Sequence, residues 1–404
     1  MLGVAFTLTG LYTGSELAQA LGLEVGIRST VLGAIVLTVM SVPAAMVGAR
    51  TRLSTYMIVS QVFGKGGARL VNFVLAAVLL GWYAVTADFF GHTFYLTAAR
   101  YFTHNSPEWV YTIASSALVV ATTVFGFKAI DRLSLLAAPL LVALTVYVAW
   151  RALAHQSWDH LLGIPGRHVD FDTGVSAVIG GWIVNVLLMP DFTRYSRSTL
   201  DCAIISVAGN GIGAATTLIL AMIPALAFGE IDPMKYMAVL GLVGVAFTIL
   251  VISTWTINAV NLYSTGLVSS AVIRRVSYGR LVIGTGVIGT LAALLKPGDA
   301  LITFLVLLGV IVPPIAAIYL TDFFILRRQD YSHAGEGENA MNNVNGVVAA
   351  LMGAAVGLIM YYTHSSVTGV PTIESFVSAG AIYTLAERIR IPSGRDRLWR
   401  ALKV

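Results

Sequence analysis

The stretch Gly180-Gly181-Trp182-Ile183-Val184-Asn185-Val186-Leu187-Leu188-Met189-Pro190-Asp191-Phe192-Thr193-Arg194-Tyr195 decides the reading of this chain. It opens as an apolar membrane span, yet within about four helical turns it carries two glycines, an indole, an amide and a proline. Paired glycines tolerate unwound backbone and Pro190 removes a ladder hydrogen bond, so the pattern predicts a helix that breaks inside this stretch. In hydrocarbon the freed carbonyl and amide groups need polar partners. Non-helical backbone persists at membrane depth only where protein or a water-filled cavity satisfies it, which makes the segment a candidate ligand site as well as a candidate kinked packing helix.

The rest of the chain has the composition of a polytopic membrane protein. Hydrophobic residues make up 57% of the 404 and charged residues 11%, against roughly 25% charged in soluble domains. Twelve apolar stretches are long enough, or nearly so, to cross a bilayer. They run over 1–23, 30–48, 70–96, 110–125, 133–150, 174–192, 203–228, 240–270, 281–295, 301–326, 344–362 and 373–386. Little chain is left for a separate soluble domain, so a single transmembrane domain over 1–404 is expected. The net charge of +5 could suggest nucleic acid, but the basic residues lie in short inter-helix loops. Topology accounts for them, and no nucleic-acid partner is expected.

With the N-terminus in the cytoplasm, nineteen of the 25 Lys and Arg residues fall in inside loops or in the tail, and six fall outside. Under the positive-inside rule this predicts that both termini are cytoplasmic. Met1 opens without a basic segment and no small-residue cleavage signature follows its apolar run, so no signal peptide is expected. The apolar run before Thr13-Gly14-Ser15-Glu16 is short for a full crossing, from which the expectation follows that Met1 lies inside helix one.

Motifs of other classes are weak or missing. Gly64-Lys65-Gly66-Gly67 lacks the ending and the strand-loop-helix setting of a phosphate loop and reads as a cytoplasmic turn. Cys202 is the only cysteine, which excludes an intramolecular disulfide and a thiolate cluster and reads as a packing residue. The histidines show no metal-ligand spacing, and no nucleophile elbow or paired carboxylates on one face occur, so catalytic residues, cofactors and enzymatic activity are not expected.

Taken as two sets of five, the first ten helices are interrupted at corresponding places. Thr7, Thr9, Gly10, Thr13 and Gly14 punctuate helix one, as Gly180, Gly181, Asn185 and Pro190 punctuate helix six. Interruptions at matching positions of two halves point to a transporter built from inverted repeats. Helices three and eight each carry a central tryptophan, in Gly81-Trp82-Tyr83 and Thr254-Trp255-Thr256-Ile257-Asn258.

These residues resemble the nucleobase:cation symporter family, which includes cytosine permease and the hydantoin transporter, over nearly the whole chain. The resemblance is carried by Phe6-Thr7-Leu8-Thr9-Gly10, Gly81-Trp82, Pro190-Asp191-Phe192-Thr193-Arg194-Tyr195, Trp255-Thr256-Ile257-Asn258 with Leu262-Tyr263, and Pro313-Pro314 with Thr321-Asp322-Phe323. It implies an all-α, LeuT-type architecture of about twelve transmembrane helices. Two inverted five-helix repeats would occupy 1–154 and 174–326, two peripheral helices 344–386 and a basic cytoplasmic tail 387–404. It further implies a monomeric symporter in the plasma or inner membrane that imports a nucleobase, cytosine foremost, with sodium or a proton. Another heterocycle is the alternative: a purine, allantoin, hydantoin or hydroxymethylpyrimidine.

A nucleobase needs aromatic faces above and below its ring and fixed polar groups around its edge. Trp82 and Trp182 match the family's substrate-sandwiching positions, and stacking on an aromatic side chain is worth about 1–3 kcal/mol per base. Edge recognition is expected from backbone groups near Leu8 and Gly181 and from the Asn185 amide. The chain departs from cytosine permeases at Leu79, where they place a glutamine, and at Val184 and Asn185, where they place small residues. For a cation the resemblance implies Gly3, Phe6, Ser253 and Thr256. Ile257 stands where a second hydroxyl would coordinate sodium, so one oxygen ligand is missing. The intramembrane candidates for proton coupling are Glu16 and Asp88, Asp88 reading otherwise as a satisfied polar group near the outer end of helix three. Asp191 and Arg194 are spaced to pair on one helix face.

Overall fold

A computed structural model of the chain describes residues 6–101, 106–125, 128–167, 169–273, 275–329 and 343–390. Among the described residues the regular structure is helical. Each of the twelve expected spans contains a helix, and seven helices are long and apolar enough to cross a bilayer, with shorter apolar helices at Glu108–Val124, Phe171–Leu187 and Tyr278–Ala293. The described residues fall into two compact units. One is drawn from Met1–Val39, Asn72–Trp182 and Ile204–Leu308, the other from Met40–Val71, Ile183–Ala203 and Gly309–Val404.

In the first unit, helix Leu8–Leu21 begins at an interruption. Thr7 is extended (φ −141°, ψ 160°) and its hydroxyl accepts the Gly10 N–H at 3.0 Å, a side-chain cap for one of the donors that a helix start leaves unpaired. The other end stops at Gly22, whose φ of 75° is open to glycine and strained for other residues. This helix lies directly on helix Ala214–Phe228: a Cβ at Gly14 would stand 2.5 Å from the Leu218 carbonyl oxygen and 2.7 Å from the Ala221 Cβ. Without a hydrophobic drive between helices in lipid, such close approach supplies the dispersion contacts that hold them together. Tyr83, Phe90, Val119, Leu262 and Val282 form a fully buried cluster joining helices Thr55–Tyr101, Glu108–Phe125, Val243–Val272 and Tyr278–Ala293.

In the second unit, Gly48 meets the backbone of Pro190 in the same manner, and Thr193 Oγ1 donates to the Ala45 carbonyl at 2.8 Å. Helices Val344–Thr363 and Pro371–Arg390 pack through Gly353 and Gly357, and Ser375 Oγ donates to the Val310 carbonyl at 2.6 Å. Asn343 Nδ2 donates to the Val62 carbonyl at 2.8 Å, and Tyr383 Oη donates to Asp322 Oδ1 at 2.9 Å.

One local expectation is corrected. The backbone remains helical through Gly180 and Gly181 as far as Leu187, and the interruption falls at Leu188 (φ −88°, ψ 3°), before the short helix Met189–Thr193. Pro190 stands in the first turn of that helix, where its missing N–H is no loss. The break is closed locally, since Leu188 N–H donates to the Val184 carbonyl and Asp191 N–H to the Leu188 carbonyl, each at 3.0 Å. In Gly64-Lys65-Gly66-Gly67 the expected turn is made at a single glycine, Gly64 at φ 70°, between two helical segments. The Pro313-Pro314 kink is present, with helix Leu301–Ile311 ending and Pro313–Thr321 starting there. A π-helical stretch at Val207–Gly213 had no forewarning beyond its three glycines.

The close approach at Gly14 makes a stability prediction. Gly14→Ala forces atoms onto backbone and should destabilise by about 1–3 kcal/mol, read as a lower Tm of the detergent-solubilised protein. Gly244→Ala, at an exposed helical glycine with nothing within 4 Å, should leave Tm unchanged or raise it. Equal losses at both positions would contradict the packing described.

Candidate functional site

In the first unit two of the sequence-derived positions, Trp82 and Gly181, border one apolar helix. Trp82, half-buried on helix Thr55–Tyr101, meets the Phe304 ring edge-on at 5.3 Å and 78°. A Cβ on Gly81 would approach the same ring to 2.9 Å. On helix Phe171–Leu187, a Cβ on Gly181 would lie 3.9 Å from Leu305 Cδ2 and otherwise meet no atom within 4 Å beyond its own helix. Phe304 and Leu305 are adjacent in helix Leu301–Ile311, so one turn of that helix braces Trp82 and borders Gly181. Trp182 is 5% exposed, and Leu79 and Leu8 are buried. Leu8 is the first helical residue after Thr7, in the turn whose N–H groups lack intrahelical acceptors. Gly181, inside a continuous helix, lacks the unwound backbone that the sequence suggested. Val184 (buried) and Asn185 (half-buried) belong to the second unit.

Of the cation candidates, Phe6 is buried in a bend before Thr7, and Gly3 lies outside the described residues. Ser253 and Thr256 are buried on helix Val243–Val272, and Thr256 Oγ1 donates to the Ser253 carbonyl at 2.8 Å. That bond occupies the hydroxyl proton and leaves oxygen lone pairs to accept elsewhere. Ile257 beside them is half-buried and apolar.

A second feature was not anticipated. A cavity of about 390 Å³ in the first unit is lined by six carboxylates, Glu16, Asp88, Glu108, Glu230, Asp232 and Asp299, with Arg167, Lys235, Lys296 and His92. Asp88 is satisfied, its Oδ2 accepting the Gly298 N–H at 3.1 Å, in keeping with the structural reading of that residue. The Tyr12 and Phe89 rings stack at 3.9 Å beside it. Lys296 Nζ lies 2.7 Å from Glu108 Oε2, and this bond holds the ammonium above the ordinary lysine range. The lining residues come from chain segments far apart in sequence. The signal available beforehand was only that each stands near a span end on the side assigned as outer.

In the second unit Asp191 does not take Arg194 as its hydrogen-bonding partner. Its Oδ1 accepts the Thr55 N–H at 3.3 Å, while the Arg194 guanidinium lies 4.7 Å from the Tyr195 ring centroid. Arg52 Nη1 donates to the carbonyls of Arg194 and Ser196 at 2.9 and 2.5 Å.

Comparison with known proteins places the chain in a family. Residues 1–380 match the family described as permease for cytosine/purines, uracil, thiamine, allantoin. The chain belongs to this family. It is similar to cytosine permease of Escherichia coli (strain K12), 27% identical over 360 residues, which are 88% of this chain and 84% of the relative. Among solved structures it resembles inward-facing Mhp1, with a TM-score of 0.82 and 18% identity, covering 96% of this chain and 88% of the other. It also resembles a Na+-coupled sialic acid symporter in a substrate-bound outward-open state (TM-score 0.67, 12% identity, 98% and 90% covered). The protein is therefore a multi-pass membrane transporter of the nucleobase:cation symporter family with a LeuT-type fold, and its relatives are permeases rather than enzymes.

The open surroundings of Gly181 give a check on the site geometry. Gly181→Ala should keep or slightly raise Tm, because alanine favours the helix by about 1 kcal/mol and meets no obstacle. A clear drop in Tm would mean that this backbone is packed against protein.

Proposed function

We propose that the chain imports a planar heterocycle, cytosine foremost, into the cell across the plasma or inner membrane by alternating access, as a monomer with both termini cytoplasmic. The five-helix segments 1–154 and 174–326 would act as inverted repeats, followed by the peripheral helices of 344–386 and the tail of 387–404. The observation that carries the reading is the pairing on helix Leu301–Ile311: Trp82 held edge-on by Phe304, and Gly181 left open next to Trp182. A flat ring would stack between the two indoles, with its edge meeting the first-turn N–H groups at Leu8. Family membership and the similarity to cytosine permease support the substrate class.

A purine, allantoin, hydantoin or hydroxymethylpyrimidine is the second reading. It is favoured by Leu79, a buried apolar residue where cytosine permeases place an amide, because a site lacking one edge partner selects a different ring. For coupling we propose sodium, held by carbonyls near Gly3 and Phe6 with Ser253 and Thr256, or a proton in its place because Ile257 supplies no oxygen.

Competition against radiolabelled uptake, in cells lacking nucleobase carriers, sorts these rings; no competition by any of them would overturn the substrate class. Trp82→Ala and Trp182→Ala should each weaken half-saturation by about 5- to 150-fold, the equivalent of 1–3 kcal/mol of stacking. Unchanged half-saturation in both would contradict the sandwich. Separately, Ile257→Thr should strengthen the sodium dependence of uptake, and an unaltered dependence would remove this helix from the cation site.

A further inference from the structure

In the acidic cavity, His92 has both ring nitrogens against carboxylates. Nδ1 is 2.7 Å from Glu108 Oε1, and Nε2 is 2.9 Å from Asp232 Oδ2 in an off-axis charged contact. An ionised carboxylate only accepts hydrogen bonds, so a neutral imidazole would turn a lone pair toward one of these oxygens. The imidazolium turns a positive N–H side to both, bonded to Glu108 Oε1 and in charge contact alone with Asp232 Oδ2. The charge balance points the same way, since the six lining carboxylates outnumber the three fixed cations, Arg167, Lys235 and Lys296.

Each contact ties His92 to a different part of the chain. The histidine is on helix Thr55–Tyr101, Glu108 opens helix Glu108–Phe125, and Asp232 opens helix Pro233–Val239. Both carboxylates are also anchored at their other oxygens, which keeps them aimed at the ring. Asp232 Oδ1 accepts the Met234 N–H at 2.7 Å, and Glu108 Oε2 takes Lys296 Nζ.

We propose that His92 is a proton-binding site whose occupancy clasps these three elements together over the cavity. Nδ1–H keeps its hydrogen bond to Glu108, so the proton leaves from Nε2, and a lone pair then faces the anionic Asp232 Oδ2. The segment at Asp232 then separates from helices Thr55–Tyr101 and Glu108–Phe125. The other charged or titratable groups of the cavity are Asp88 on the histidine's own helix, Tyr12 and Glu16 on helix Leu8–Leu21, and Arg167 in the 163–170 connection. Glu230 and Lys235 form a pair at 3.5 Å, and Asp299 lies in the turn after Lys296. Of all these groups, the imidazole is the one with a charged donor shared between two carboxylates and an ordinary titration range near neutrality. The sign is fixed: the clasp holds at low pH and is lost as pH rises.

The proposal does not depend on which substrate is carried, and its test uses no transport. Spin labels are placed at Trp109→Cys and Glu230→Cys in the full-length protein, with Cys202→Ser removing the native thiol, and distances are read by double electron–electron resonance. At about pH 6 a single narrow distance is expected, and at about pH 9 a shift to longer distance exceeding the width of the low-pH distribution. His92→Gln should give the same long distance at both pH values. Identical distributions at both pH values in the histidine-containing protein, or an undiminished shift in His92→Gln, would overturn the proposal. Should the variant fail to fold, ¹⁵N-histidine spectra of the unsubstituted protein decide. Seven histidines are present, and one must show both nitrogens protonated at the acidic end and lose one proton over the pH range in which the distance lengthens. Absence of such a resonance would likewise overturn it.

Discussion

A peptide group in hydrocarbon has no partner except other protein, and several irregular points among the described residues meet that constraint locally. Where helix Phe171–Leu187 stops, two backbone bonds across Leu188 bridge the gap to the next helix. Where helix Leu8–Leu21 starts, the Thr7 hydroxyl stands in for a missing carbonyl, and the Asp232 and Asn343 side chains do the same for Pro233–Val239 and Val344–Thr363. The start of Leu8–Leu21 leaves first-turn donors beside Leu8, where the proposed ring edge would lie. That availability, with two indoles, is what a heterocycle carrier requires.

Close helix approach follows from the same environment. Lipid tails are as apolar as leucine, so helices gain little by hiding leucine from them and associate instead where small residues let backbones touch. Gly14 against Leu218, Gly48 against Pro190 and Gly353 against Ala379 are such points. Several buried hydroxyls bond to carbonyls one turn back in their own helices, as Thr86 does to Trp82 and Thr145 to Leu141.

Much of the fold could be read from the sequence because hydrophobic length is a strong signal. Positions within it were less secure, because glycine permits unwinding without requiring it. Gly180 and Gly181 stay helical, and the chain turns at Leu188, whose side chain carries no such mark. For the candidate site, Trp82, Gly181 and Trp182 were visible as unusual residue types in apolar runs, and the resemblance gave them roles. Phe304 was not, since one more apolar residue in the 301–326 span is indistinguishable from lipid-facing or packing neighbours until the helices are assembled. The His92 cluster was hidden for a different reason: its members lie as far apart as residues 92 and 296, and no single stretch shows more than two of them at helical spacing.

The claim on which the account rests is that a planar ring is held between Trp82 and Trp182 beside an open Gly181. A structure of the protein determined with cytosine, or with whichever heterocycle is transported, tests it most directly. Ring density stacked on both indoles, with the ring's edge toward Leu8, is the expected result. Density for the ring in the acidic cavity around His92, or indoles without ligand contact, would contradict it.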